Sequence, residues 1–314
     1  RPPRRGRPPP ASFGRALPGG RAVSTLSGMP HKRRRRTKAE MTALRGALAR
    51  LARDNAPVTC RQLYYLAVSS GLVEKTEREY QNVVRLCLLQ RQAGEIDWDQ
   101  VSDRTRWMFK SDTFGSVHDA LRATARRYRR CLWSTAAVAC QVWCESVSIA
   151  GVIDDVTDGW DVPLFPGKGY SSHDFLRTAA RGIARAGKPT VIYLLGDYDP
   201  SGRDIIRFVA KALREYADEV NPRVTIDFRT VAVTEEQVAG WGLPSHPAKT
   251  TDSRHRSYAI DRAVELEAIP PARLRGLVGG LIESLLDPGE VDRLRRVEAA
   301  ERETLTAIAE RALG

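Results

Sequence analysis

The apolar run Val191-Ile192-Tyr193-Leu194-Leu195 leads into Gly196-Asp197-Tyr198-Asp199-Pro200-Ser201-Gly202, placing two carboxylates two positions apart where a strand gives way to a turn. Side chains two apart on a strand project to the same side, so Asp197 and Asp199 are expected to converge. A further acid, Glu145, closes the apolar run Val142-Trp143-Cys144. Carboxylates gathered at strand ends repel one another unless a cation joins them, and hard oxygen ligands favour Mg2+. Such an ion would hold a phosphodiester and neutralise charge developing on its oxygens. The ordinary reading of an isolated Asp-x-Asp is a cap for the helix that Pro200, Ser201 and Gly202 begin. Glu145, in its Trp-Cys-Glu-Ser setting, turns the balance towards the metal.

A second chemical constellation lies upstream, in Cys60-Arg61-Gln62-Leu63-Tyr64-Tyr65. Arg61 and Tyr65 are four apart, hence neighbours on one helical face. A tyrosine beside an arginine can approach a phosphate, but its phenol is mostly protonated at neutral pH and needs help to become a nucleophile. The plain alternative is that one tyrosine packs in a helical core and the other at its edge.

The elements that must position these groups follow from periodicity. Met41, Leu44, Leu48 and Leu51 mark one face of a helix over Lys38–Arg53, broken by Asp54-Asn55-Ala56-Pro57. Thr59 stands three before Gln62 and Thr76 three before Glu79, each the spacing of a capping box. A helix over Cys60–Ser69 closes near Gly71, and another carrying Tyr80, Val83, Val84 and Cys87 closes near Gly94. Glu95-Ile96-Asp97-Trp98 is expected to form a small strand. Residues 116–134 are expected to be an arginine-rich helical connector whose Arg122, Arg126, Arg127, Arg129 and Arg130 either track a phosphate backbone or line a solvated face. Beyond it, short apolar runs (Val138–Trp143, Val162–Phe165, Val191–Leu195, Val224–Val233) alternate with helical stretches (Phe175–Ala186, Asp204–Tyr216). That alternation implies a mostly parallel sheet with covering helices, whose ligands collect at the carboxyl ends of strands.

Composition narrows the classes. Of the 314 residues, 50 are basic and 38 acidic, for a net charge of +12. Residues 1–36 hold eleven basic side chains and no acid, so 39 basic and 38 acidic residues remain from 37 onward, and the folded part is nearly neutral. This Pro/Gly-rich segment is expected to be a disordered basic arm, drawn loosely to phosphate, or else sequence ahead of a start at Met29. No apolar run approaches the roughly 18 residues that cross a bilayer. No secretory signal is evident, which makes the cytoplasm the expected location. Five cysteines without a Cys-x-x-Cys pair fit reduced thiols rather than a disulfide framework or zinc module.

Glu145 after one strand and Asp197-x-Asp199 after a later one resemble the pattern of a Toprim domain, the metal-binding α/β unit of topoisomerases and related nucleases. Cys144-Glu145-Ser146 and Gly-Asp-Tyr-Asp-Pro-Ser-Gly are particularly similar to the DNA-cleaving subunit of topoisomerase VI and its meiotic break-forming relatives. In that family an Arg-x-x-Tyr-Tyr motif sits in a winged helix ahead of the Toprim domain, and Arg61, Tyr64 and Tyr65 match it. The likeness spans roughly Lys38 to Leu286. It includes Arg229–Val238, Gly242-Leu243-Pro244, Lys249, Thr251-Asp252 and Glu265–Pro271, which look like scaffold rather than chemistry. The chain is short in its connector and C-terminus, like compact forms on mobile elements.

The resemblance implies an α/β protein in five parts: the basic arm (1–36), a small α-rich winged-helix domain with the tyrosine motif (37–112), the connector (113–134), a Toprim domain (135–286) and a C-terminal helix (287–314). It further implies Mg2+-dependent double-strand cleavage of DNA, with Tyr65 forming a 5′-phosphotyrosyl link, Arg61 assisting, Tyr64 structural, and Glu145, Asp197 and Asp199 holding the metal. The family's tyrosine works with the metal site of a second copy, so a homodimer is expected. Lacking a Gly-x-x-x-x-Gly-Lys-Ser/Thr loop, strand passage would need a separate GHKL-type ATPase subunit. Two other readings stay open, a metal-dependent nuclease using water and a noncatalytic DNA-binding component of a mobile element.

Overall fold

The computed structural model describes residues 36–101, 111–167, 171–247 and 262–311. Nearly all of the basic arm, together with Lys249, Thr251 and Asp252, lies outside them.

The chain begins with three helices, α1 (Lys38–Asp54), α2 (Cys60–Ser69) and α3 (Glu77–Gln92). Thr59 and Gln62 form the expected reciprocal box at the start of α2: the Thr59 hydroxyl accepts from Gln62 N at 3.1 Å, and Gln62 Oε1 accepts from Thr59 N at 3.0 Å. At α3 only half the box forms. Thr76 Oγ1 accepts from Glu79 N, but the Glu79 carboxylate turns to Arg36 at 2.8 Å, because a charged partner outcompetes a backbone amide.

The expected strand over 95–98 does not form. Gly94, at φ +72°, closes α3, and Asp97 and Gln100 bond each other's backbone and side chains into a turn while Ile96 is buried. Among the described residues, the extended pairing nearby is a single parallel bridge between Val58 and Val101. The segment 102–110, where a wing would continue, lies outside the described residues.

The connector is less helical than its composition suggests. The helix α4 (Val117–Arg127) stops where Tyr128 turns extended. Residues 128–130 are held instead by the long C-terminal helix α10 (Pro288–Arg311): the Tyr128 hydroxyl donates to Glu301 at 2.7 Å, Arg130 N donates to Glu298 at 2.8 Å, and the Arg130 guanidinium pairs with Glu301. Arg127 pairs with Asp112, and Arg129 with Asp158. Three of the five connector arginines are thus already matched to acids, which weakens the reading of this run as a phosphate track.

The rest is α/β. Four parallel strands, β1 (Ala139–Cys144), β2 (Leu164–Pro166), β3 (Thr190–Leu195) and β4 (Ile226–Ala232), lie in the order β2-β1-β3-β4. Alternation sends Val191, Tyr193 and Leu195 of β3 into one core with Cys140 and Val142 of β1, and Ile192 and Leu194 into another with Trp143. The helix α5 (Val147–Gly159) and α9 (Pro271–Glu283) pack on each other over the first face. On the second face, α6 (His173–Ala186) and α7 (Pro200–Asp218) contribute Leu176, Ile183, Val209 and Leu213. Every residue of β3 is buried, each large apolar side chain contributing roughly 1.5–3 kcal/mol.

The front helices share the first core with the sheet rather than forming a separate body. The bonds across this junction are specific. Arg275 of α9 donates to the Pro57 carbonyl at 3.2 Å, Lys75 donates to the Pro244 carbonyl at 3.1 Å, and α2 rests on a single 3-10 turn, Leu266–Ala268. A short helix α8 (Glu235–Gly240) and a two-stranded ribbon, β5 (His246–Pro247) with β6 (Arg262–Ala263), complete the described residues.

Candidate active site at the strand ends

Parallel pairing fixes where the acids emerge. Cys144 and Leu195 are register partners at the ends of β1 and β3, so Glu145 and the Gly196–Asp199 turn leave the sheet side by side. Glu145 Oε2 accepts from Asp197 N at 3.1 Å. A Cβ at Gly196 would lie 2.9 Å from that same carboxylate oxygen, so a larger residue there would push the Glu145 side chain aside. The turn is pinned from outside by an antiparallel bridge, with Tyr198 N donating to Val264 O at 2.8 Å and Val264 N to Tyr198 O at 3.1 Å.

Asp197 and Asp199 lie past the end of β3, and each is engaged with backbone. Asp197 Oδ1 accepts from Leu266 N at 2.8 Å. Asp199 caps α7, its Oδ1 accepting from Gly202 N at 2.7 Å, so the helix-cap reading holds for this residue. The approach is so close at Gly202 that a Cβ would stand 2.3 Å from the Asp197 carbonyl oxygen. Among the described residues no three His, Cys, Asp or Glu side chains converge as a ready-made metal cage.

The electrostatics are nonetheless those of an uncompensated acid cluster. Burial, then Glu145 and Glu267, push the Asp197 carboxyl up to about 8. Burial, Asp199 and Glu267 raise that of Glu145. None of the charges acting most strongly on either acid is positive. The donors are all oxygens, which fits a hard divalent cation in chemistry; Glu145, Asp197 and Asp199 would hold it, each having a second carboxylate oxygen beyond the one bonded to backbone.

The fourth acid, Glu267, was expected to be scaffold. It is 6% exposed, and its Oε1 accepts from the hydroxyls of Ser146 at 3.0 Å and Ser148 at 2.9 Å. Its neighbour Glu265 reaches the other way, towards α2. Arg61 Nε lies 3.1 Å from Glu265 Oε2. The Glu-x-Glu spacing repeats that of Asp-x-Asp, a signal in the sequence that this segment brings further acids to the strand ends.

Tyr65 is 4% exposed, with the Lys75 ammonium 5.2 Å from its ring centroid. Burial, with Glu265 adding to it, drives its phenol well above the ordinary value. Burial opposes the charge on Arg61, but Glu265 and Glu267 outweigh it and hold the guanidinium pKa above its usual range. Tyr64 is a packing residue: its ring meets Tyr65 at 5.3 Å and Tyr80 at 5.4 Å, and its hydroxyl donates to the Thr76 carbonyl. The segment Glu265–Leu266 thus links the tyrosine helix to the acids within one chain, through Arg61 on one side and Asp197 on the other.

Comparison of the chain with protein-family models and with curated proteins gives no match.

Proposed function

We propose that this chain cleaves double-stranded DNA by transesterification, in the manner of the DNA-cleaving subunit of topoisomerase VI, with its α/β unit acting as a Toprim domain and its front helices as the winged helix. The observation that supports this reading is the segment Glu265–Leu266, which touches both motifs: Arg61 Nε lies 3.1 Å from Glu265 Oε2, and Leu266 N donates to Asp197 Oδ1 at 2.8 Å. A bound Mg2+ would supply charge neutralisation at the phosphate oxygens. Arg61, whose side chain is 46% exposed, orients the phosphate. The Tyr65 oxygen attacks phosphorus, the bond to the 3′ oxygen breaks, and a 5′-phosphotyrosine remains. The same reading includes a homodimer, a separate GHKL-type ATPase subunit for strand passage, and a place on the nucleoid. No helix among the described residues is long and apolar enough to cross a membrane.

One observation favours a second reading. Tyr65 is buried, as expected of a tyrosine that packs while a metal-bound water cuts the strand. Incubation with supercoiled DNA and Mg2+, followed by denaturation with and without protease, separates the two. Covalent adducts that vanish in Tyr65→Phe support transesterification, and cleavage that survives Tyr65→Phe but disappears in Asp197→Ala supports hydrolysis.

A further inference from the structure

The described residues include five cysteines, and the sulfurs of Cys60 and Cys87 are in contact at 3.9 Å, the length of a weak thiol hydrogen bond. Cys60 opens α2 and is half-buried, whereas Cys87 lies within α3, 27 residues on, and is wholly buried in the first core. The bond to Cys60, then burial, hold the Cys87 thiol above its ordinary pKa, so it keeps its proton. The remaining thiols are placed otherwise: Cys144 bonds the Ser146 carbonyl at 3.3 Å, Cys140 is buried within β1, and Cys131 is exposed. Because Cys60 is the first residue of α2, no earlier helical turn stands beside its side chain to restrict χ1. A disulfide needs the sulfurs at about 2.05 Å, and rotation about the Cys60 Cα–Cβ bond covers a shift of that size from 3.9 Å without moving either helix.

We propose that Cys60 and Cys87 are an oxidation site, forming a reversible disulfide when the protein meets a hydroperoxide. With hydrogen peroxide, the Cys60 thiol gives its proton to solvent and its sulfur attacks one peroxide oxygen. The O–O bond breaks, the departing oxygen leaves as water, and Cys60 becomes a sulfenic acid. The Cys87 sulfur then attacks the Cys60 sulfur, the S–O bond breaks, and hydroxide leaves with the Cys87 proton as a second water. Two thiols are thus oxidised by two electrons while one peroxide is reduced to two waters. Burial keeps peroxide from Cys87, so the half-buried Cys60 reacts first and Cys87 resolves it. The bridge fastens the first turn of the helix that carries Arg61, Tyr64 and Tyr65 to α3, whose Tyr80 ring already lies 5.6 Å from the Arg61 guanidinium.

The test treats the unaltered full chain with hydrogen peroxide, blocks the remaining thiols and reads intact mass and cross-linked peptides by mass spectrometry. A Cys60–Cys87 link within one chain is expected, with the loss of two hydrogens in mass, and dithiothreitol is expected to remove it. The oxidised protein is expected to melt several degrees above the reduced one, because the bridge restricts the unfolded chain. Cys131→Ser removes the exposed thiol and is expected to leave the link unchanged. In Cys87→Ala the resolving sulfur is gone, and Cys60 is expected to stop at the sulfenic acid, captured by dimedone in greater yield than in the unaltered chain. The link itself is read without any substitution, so the result does not hang on the folding of a variant. Peroxide that carries Cys60 of the unaltered chain to sulfinic acid without a link overturns the proposal. So does oxidation of Cys131 while Cys60 and Cys87 stay reduced, or a link that joins two chains.

Discussion

The acid cluster and the tyrosine helix balance their charges in opposite ways. At the strand ends, Glu145, Asp197 and Glu267 act on one another, and no positive group ranks among the main influences on Glu145 or Asp197. At α2, Glu265 faces Arg61 at 3.1 Å and feels Lys75. The first site stores repulsion that an added cation relieves, whereas the second is already neutralised and has to be opened by a competing anion. A metal-bound phosphodiester, the substrate proposed above, carries both signs and would meet an opposite charge on each side.

The sharpest way to break that contrast is Asp197→Asn. Loss of all cleavage is expected, yet the variant should melt higher than the unaltered chain in metal-free buffer at pH 8. The sign follows from linkage. The Asp197 carboxyl titrates at about 8 in the fold against an ordinary 3.8, so the fold binds more protons than the unfolded chain between those values. Stability is therefore lost as pH rises through that window, and an uncharged Asn removes the loss. Mg2+ is expected to raise the melting temperature of the unaltered chain and not that of Asp197→Asn; equal shifts would make the cluster a structural feature.

Mixing Tyr65→Phe with Asp197→Asn asks whether the halves work within one chain, as they adjoin here, or between copies. No adducts are expected if each chain uses its own acids, and adducts restored by mixing would show the pairing to be between copies. Gly202→Ala places a Cβ against the Asp197 carbonyl, and a destabilisation of about 1–3 kcal/mol is expected with loss of cleavage, read by denaturant unfolding and the adduct assay. Thr59→Ala removes the cap of α2 for about 1 kcal/mol of stability, without altering the Mg2+ dependence of melting.

Local rules carried the elements. Helices α2 and α3 were legible because an apolar stripe, a Thr cap and a closing turn agree with one another, α1 because its apolar stripe ends at Asp54-Asn55-Ala56-Pro57, and β3 because its short apolar run is followed at once by the turn residues Gly196 to Gly202. The strand expected over 95–98 failed because β-formers such as Ile96 and Trp98 yielded to Asp97 and Gln100, whose side chains close a turn. The connector helix failed beyond Arg127 because its continuation is decided by Glu298 and Glu301, about 170 residues away.

What the sequence determined by itself is the set of acids at strand ends and the tyrosine on its helix, since strand alternation, helix period and caps act over a few residues. What only the tertiary structure decided is that Glu265 and Glu267 stand between them, one carboxylate beside Arg61 and the other bonded to the hydroxyls of Ser146 and Ser148 next to Glu145. No local rule foresees this, because the Tyr198–Val264 bridge and the docking of α2 on the Leu266–Ala268 turn join segments distant in the chain, and an acid's role depends on which charges that folding brings within reach.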